Sequence, residues 1–330
     1  MTTSTTSTST TSASTTSAST TSTPIPAAQR NWTGDAVPDL RGQFVETARE
    51  LIGSDDRMAL VLAEISADRF GDLQRQHPDR VLNVGIREQL LVSTAAGLAF
   101  SGLRPIAHTF GAFLIERAWE QVKLDLDHQE IGAVLVGSYG SYDWPAGGRT
   151  HQSPGDVALL DTLRDWTIHV PGHPAEVDQQ LRTAATGDDR VYLRIGGDPN
   201  PEPHPGLRWT RLQQGSRGTV IAVGPMLRNT ERAVADLDVT LLYAPTIRPF
   251  DGAMLRASVR QPARVVLVEP YLAGTSSAQV ATALADLDHR QLGLGVGDPD
   301  QHRYGEPAEH DRLHGLDPAG LRSSIETFLS

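Results

Sequence analysis

From about residue 40 onward, short continuous apolar runs alternate with stretches of helical periodicity. Runs without polar alternation need cover on both faces, so the pattern admits little besides parallel sheets packed between helices. "MALVLAEI", "RVLNV", "RPIAHTF", "IGAVLVG", "WTIHVPG" and "VYLRI" read as buried strands. Between them lie helical stretches. "GQFVETARELIG" places Phe44, Val45, Ala48, Leu51 and Ile52 on one face, and a helix from Ile86 to about Phe100 is stopped by Gly102. "AFLIERAWEQVKLDLDH", "GDVALLDTLRD" and "PAEVDQQLRTAAT" complete this series. A proline-rich stretch without periodicity, 198–218, then reads as a linker. A second series follows, with strands "TVIAVG", "VTLLYA", "RVVLVEP" and "QLGLGV" and helices from Met226 to about Leu237, at "TSSAQVATALADL" and from Pro318 to Leu329. The expected organisation is α/β throughout: one domain over 37–197 and a smaller one over 219–330.

Residues 1–36 open with a tract of almost pure Ser, Thr and Ala. It has too little apolar surface to offset its ordering entropy, and it lacks the marks of a secretion signal or transit peptide, so a disordered tail is expected. A net charge of −11 without a basic cluster argues against a nucleic-acid surface. With no cysteine there is neither disulfide nor thiolate chemistry; no histidine pair is read as a metal site, so a protein-ligated metal is not expected. No apolar run reaches membrane-spanning length, so a cytoplasmic location is the expectation.

Two places carry candidate chemistry. "NVGIREQ" sets Glu88 just after a glycine turn at the end of a buried strand, where a first-turn glutamate favoured by the helix dipole is the plain explanation. "GGRTHQ" sets His151 in a glycine-rich loop ahead of a helix. No Walker A sequence and no G-x-G-x-x-G between strand and helix is present.

Four fragments in order, "RVLNVGIREQLLVSTAAGLAFSGLRPIAHTFGAFLIERAWEQV", "GGRTHQSPGDVALL", "APTIRPFD" and the closing "LHGLDPAGLRSSIETFL", resemble the C-terminal half of transketolases from about residue 40 to the end. Deoxyxylulose-phosphate synthases are similar almost as well, and the spacing TF-x-x-F-x-x-x-RA-x-x-QV most resembles the C-terminal subunit of two-subunit transketolases. The resemblance implies a pyrimidine-binding domain for thiamine diphosphate, followed by a transketolase C-terminal-type domain. It implies that Glu88 hydrogen-bonds N1′ of the cofactor's aminopyrimidine and, by sharing its proton, favours the imino tautomer. Phe110 and Phe113 correspond to the pyrimidine-facing phenylalanines, Arg117 to a residue near the cofactor, and His151 to the histidine contacting donor hydroxyls and the reacting intermediate. Arg41 and Ser66 align with phosphate-contacting residues, and Arg194 and Arg149 with the substrate region.

The departures from the family pattern matter as much. The signature GDG followed by asparagine, which holds Mg²⁺ and the diphosphate, does not occur. The resemblance therefore implies a partner N-terminal subunit carrying that motif and the metal, in an α₂β₂ assembly. Gly147 replaces an aspartate that contacts a sugar hydroxyl, and Gly197 replaces the second arginine of a substrate-phosphate pair. The expected reaction is transfer of a ketol unit between small sugar-like or 2-oxo compounds, differing from the pentose-pathway sugars and placed in specialised metabolism. Two alternatives stand beside it: the β subunit of a 2-oxo acid decarboxylating dehydrogenase, and a non-catalytic partner-binding module that keeps the fold.

Overall fold

The computed structural model describes residues 39–204, 206–298 and 302–330; the tail expected over 1–36 lies outside them. The central apolar runs form strands with no solvent face: every residue of Met58–Leu62 (β1) is buried. Around β1, Val81–Asn83 (β2), Arg104–Phe110 (β3), Val134–Ser138 (β4), Trp166–His169 (β5) and Arg190–Ile195 (β6) align in parallel, in the order β5-β6-β4-β3-β1-β2. The Leu40–Ser54 helix starts at Asp39, whose carboxylate accepts from the Arg41 backbone N–H at 3.1 Å. It lays Phe44, Val45, Ala48 and Ile52 on one face of the sheet, beside Val177 and Leu181 of the Pro174–Thr186 helix. The opposite face takes Leu91, Val92 and Ala95 of the Glu88–Phe100 helix, together with Leu114, Ile115, Val122 and Leu126.

The second series forms a five-stranded sheet from Thr210–Gln213 (β7), Thr219–Val223 (β8), Thr240–Ala244 (β9), Ala263–Leu272 (β11) and His289–Val296 (β12). Thr246–Arg248 (β10) leaves this sheet and pairs antiparallel with β5 as the seventh strand of the first. One expectation changes here. The 198–218 stretch is more than a linker, because it supplies β7 and buries Trp209, whose Nε1 donates to the Thr246 carbonyl at 2.8 Å. The "APTIRPFD" loop supplies β10. Both strands are short and depend on distant partners, so neither leaves a local period to read. One core cluster joins Ile168 and Tyr192 of the first sheet to Ile221, Leu242 and Leu267 of the second.

The helix expected over 112–128 is also altered. It runs as a π segment at Ala112–Arg117, a turn of α-helix at Trp119–Gln121 and a second π segment at Val122–Asp127. Widened turns of this kind shift side chains around the helix axis and recur at functional sites.

Where the sheets meet, polar groups are buried in a connected set. Arg194 Nε donates to Asp156 Oδ2 at 2.8 Å with both side chains fully enclosed, and its Nη2 donates to Ser141 Oγ at 2.7 Å. Tyr192 donates to the same Asp156 oxygen at 2.8 Å. This corrects the expectation of Arg194 as a substrate ligand, since its guanidinium is used inside the protein. Nearby, Glu269 accepts from the Ser276 backbone N–H at 3.1 Å and is fully buried, which pushes its carboxyl up to about 7.

A carboxyl raised this far holds its proton more tightly in the folded than in the unfolded chain, so wild-type stability drops as pH rises from about 4 to 7. Glu269→Gln has no such proton to lose. Its stability relative to wild type, measured by urea unfolding, should improve by about 2–3 kcal/mol between pH 4.5 and 8; parallel pH profiles would contradict the assignment.

Candidate active site

The candidate residues gather beyond the carboxyl ends of the parallel strands, where open α/β sheets bind ligands. After β2, the Asn83 side-chain carbonyl accepts from Gly85 N at 3.0 Å and from Glu64 N at 3.3 Å, while Gly85 takes φ 70°. That turn brings Glu88 to the first position of its helix with the side chain 2 % exposed. Arg117 Nη1 donates to Glu88 Oε2 at 2.9 Å, and Gln89 Nε2 donates to the Arg117 carbonyl at 3.2 Å. The π segment ending at Arg117 lets its guanidinium lie over the Phe113 ring, 3.9 Å from the centroid.

From Phe113 the contacts continue without a break. Phe113 and His151 meet edge to face at 4.9 Å, and His151 meets Trp144 at 4.9 Å and Phe110 at 5.3 Å. Phe110 lies at the end of β3, edge-on to Phe113 at 5.7 Å and stacked on Trp144 at 5.4 Å. Tyr139, after β4, closes on Phe110 at 5.6 Å, and the Arg41 guanidinium sits over the Tyr139 ring at 5.5 Å. All five rings are half-buried. Glu88, Arg117, Phe113, His151, Phe110 and Arg41 therefore form one aromatic-lined ribbon, with Tyr139 and Trp144 as members that sequence reasoning missed. The signal for Trp144 was its closeness to the "GGRTHQ" motif; Tyr139 left none.

His151 is oriented by its own loop. Its Nδ1 lies 2.9 Å from the Thr150 hydroxyl and 3.2 Å from the Gly147 carbonyl, which holds the ring in place and leaves Nε2 on the far edge. Partial burial lowers its pKa, with Arg117 adding to the effect and the Gly147 hydrogen bond opposing it. Arg149 Nη1 donates to the Gln152 carbonyl at 3.2 Å, bracing the same loop. Ser66, with φ 62°, lies 3.2 Å from His108 Nε2. Because His108 Nδ1 faces the Val136 carbonyl at 3.0 Å and burial drives the ring's pKa down to about 3, the Ser66 hydroxyl donates to Nε2. Its oxygen can then only accept from a ligand. Gly197 has φ 81°, and a Cβ there would lie 2.8 Å from Pro225, so the position has no room for an arginine. Among the described residues, no three His, Asp or Glu side chains converge as a metal site.

Comparison with known proteins finds relatives over nearly all the described residues. The family model "Transketolase, pyrimidine binding domain" matches residues 39–196, and "Transketolase, C-terminal domain" matches 207–321. A 33.6 kDa uncharacterised protein in the fasciation locus of Rhodococcoides fascians is 47% identical over 296 residues, covering 88% of this chain and 95% of the relative. The 1-deoxy-D-xylulose-5-phosphate synthase of Synechococcus sp. is 30% identical over 321 residues, covering 89% of this chain. The chain spans about half the length of that synthase, 49%. Among solved structures, a chain described as "Split gene transketolase, inactive beta4 tetramer" superposes with TM-score 0.76 at 24% identity, over 88% of this chain and 98% of that one. Transketolase from Campylobacter jejuni subsp. jejuni gives TM-score 0.71 at 16% identity, over 88% and 48% respectively.

With its pKa lowered, the His151 ring is neutral at pH 7. An NMR titration of the full chain, with the signal assigned by its loss in His151→Asn, should place the midpoint below the ordinary 6.5; a midpoint at or above that value would contradict the burial of the ring.

Proposed function

The chain belongs to the transketolase family, whose members depend on thiamine diphosphate, and on that premise we propose that it is the C-terminal subunit of a two-chain enzyme transferring a ketol unit between small carbonyl compounds. The observation that carries this reading is the buried Glu88 carboxylate, set at the edge of an open row of aromatic rings. An aminopyrimidine needs a carboxylate at one ring nitrogen and flat apolar surface on its face, and these residues offer both. Glu88 would share a proton with N1′. Arg117 holds Oε2, which leaves Oε1 to meet the ring. Phe110 and Phe113 would bear on the pyrimidine face and exclude water. His151 Nε2 would hydrogen-bond a donor hydroxyl, with Arg41, Ser66 and Arg149 further out. When bound, thiamine diphosphate supplies the thiazolium that stabilises the carbanion.

The diphosphate and its Mg²⁺ are assigned to a second chain. No GDG occurs in these residues, and the structural neighbour matched along 98% of its length is described as the product of a split transketolase gene. The apolar side chains of Ile86 and Leu90 flank Glu88 and stand 70% and 45% exposed, in position to be covered by that partner. An α₂β₂ assembly in the cytoplasm follows as part of the same reading. The substrate differs from pentose-pathway sugars: Gly147 offers no carboxylate, Arg194 is enclosed and position 197 holds no arginine.

The test is reconstitution with an N-terminal subunit bearing GDG and its asparagine. The pair should bind thiamine diphosphate and catalyse carbon transfer, and Glu88→Gln should lower kcat by at least about 100-fold while leaving the circular dichroism of the isolated chain unchanged. Absence of cofactor binding by the pair, or full activity in Glu88→Gln, would overturn the reading.

A further inference from the structure

A second set of polar side chains lies beside this site. The residues at 302–306 lead into the Pro307–His314 helix and carry Tyr304, 71% exposed, against the His151 loop. A Cβ on Gly148 would lie 2.8 Å from the Tyr304 ring, so the two are in direct contact. On the helix side of Tyr304 is a pocket of about 550 Å³, lined by Arg303, Tyr304, Glu309, His310, Arg312 and Leu313. That volume falls among those of small-molecule sites, roughly 300–1,000 Å³.

His310 is the informative member. Its side chain is 2 % exposed, and neither ring nitrogen has a hydrogen-bond partner. The ring stacks on Tyr142 at 5.3 Å, and Tyr142 also stacks on His314 at 5.4 Å, one helical turn further on. Tyr142 donates to Asp311 at 2.7 Å, which fixes the stack in place. A buried imidazole with unsatisfied nitrogens is destabilising unless something meets it. The last-turn position of Arg312 is explained by the helix dipole; the buried His310 and the neighbouring Arg303 are not. Glu309, the one carboxylate lining the pocket, is held by Glu306 N at 2.9 Å in a capping box, so two guanidinium groups stand against one carboxylate.

We propose that this pocket is an oxyanion site, in which Arg303, Arg312 and His310 hold the phosphate or carboxylate end of the substrate transformed beside His151. The assignment of the oxyanion to that substrate rests on the function proposed above; the pocket's affinity for an oxyanion does not. The absence of arginine at position 197 and the enclosure of Arg194 take two guanidinium groups away from the sheet end, and those at 303 and 312 supply two beside the His151 loop. Tyr304 is the shared wall, touching the loop on one face and the pocket on the other.

Calorimetric titration of the full chain with inorganic phosphate at constant ionic strength decides the first part. Saturable binding is expected, weakened at least tenfold in Arg303→Ala/Arg312→Ala, whose exposed side chains leave the melting temperature unchanged. An absence of saturable binding, or equal affinity in the double variant, would overturn it. In the reconstituted pair, inorganic phosphate should inhibit competitively with whichever carbonyl substrate is turned over, and the double variant should lose that inhibition. Binding without competition would make the anion a separate effector and overturn the assignment to substrate. A pair with no carbon transfer would remove the proposed function while the titration still decides the pocket.

Discussion

The ion pair between Arg194 and Asp156 lies entirely out of water, a costly arrangement unless every remaining hydrogen-bonding group is engaged. Here it is well supplied, since Asp156 also accepts from Tyr192 and its own helix start at Val157 N, while Arg194 also donates to Ser141. The location explains why the pair is retained. Ser141 opens the loop that carries His151, Asp156 closes it, and a bridge between Ser141 and Ser153 draws the two limbs together. Arg194 comes from β6, an interior strand of the first sheet, so the loop is anchored at its neck to that sheet. The Ser141 hydroxyl donates in turn to the Pro270 carbonyl on β11, and this joins the second sheet to the same point. Removing either charge would strand the other in the interior and release the loop on which His151 and Trp144 depend.

From that anchor the arrangement of the site follows. Strands covered on both faces leave only their ends for chemistry, and the carboxyl ends of β1 to β4 present Ser66, Glu88, Phe110 and Tyr139 side by side. The π segments turn Arg117 back toward Glu88 and Phe113. What results is a buried carboxylate beside a row of half-buried rings and a neutral histidine. Exposed Ile86 and Leu90 continue the apolar surface past the glutamate. The site is braced from beneath by hydrogen bonds and bordered by exposed apolar side chains.

Much of this was legible in the sequence, for identifiable reasons. The Pro174–Thr186 and Pro318–Leu329 helices begin at proline and keep a strong period, so both could be placed to the residue. Glu88 stood out because an ionisable group at a strand–helix seam is physically conspicuous, and Phe110 and His151 through their motifs. Features created by distant pairing were not legible: β7 and β10 are held by partners about thirty and eighty residues away. Arg194 was misassigned because a motif fixes a residue's position in the chain and leaves open which way its side chain turns. The spacing of His310 and His314, one turn apart, could have been read directly. Their stacking on Tyr142 and the contact of Tyr304 with Gly148 could not, since they join segments more than 150 residues apart.

The central claim is that this chain builds the pyrimidine half of a shared cofactor site. Hydrogen exchange of the chain, alone and then with its diphosphate-bearing partner and thiamine diphosphate, tests it most directly. Protection should rise at residues 84–90, 110–117 and 139–151, and only when both partner and cofactor are present should it reach its full extent. Protection confined to other surfaces, with those three segments unchanged, would contradict the claim.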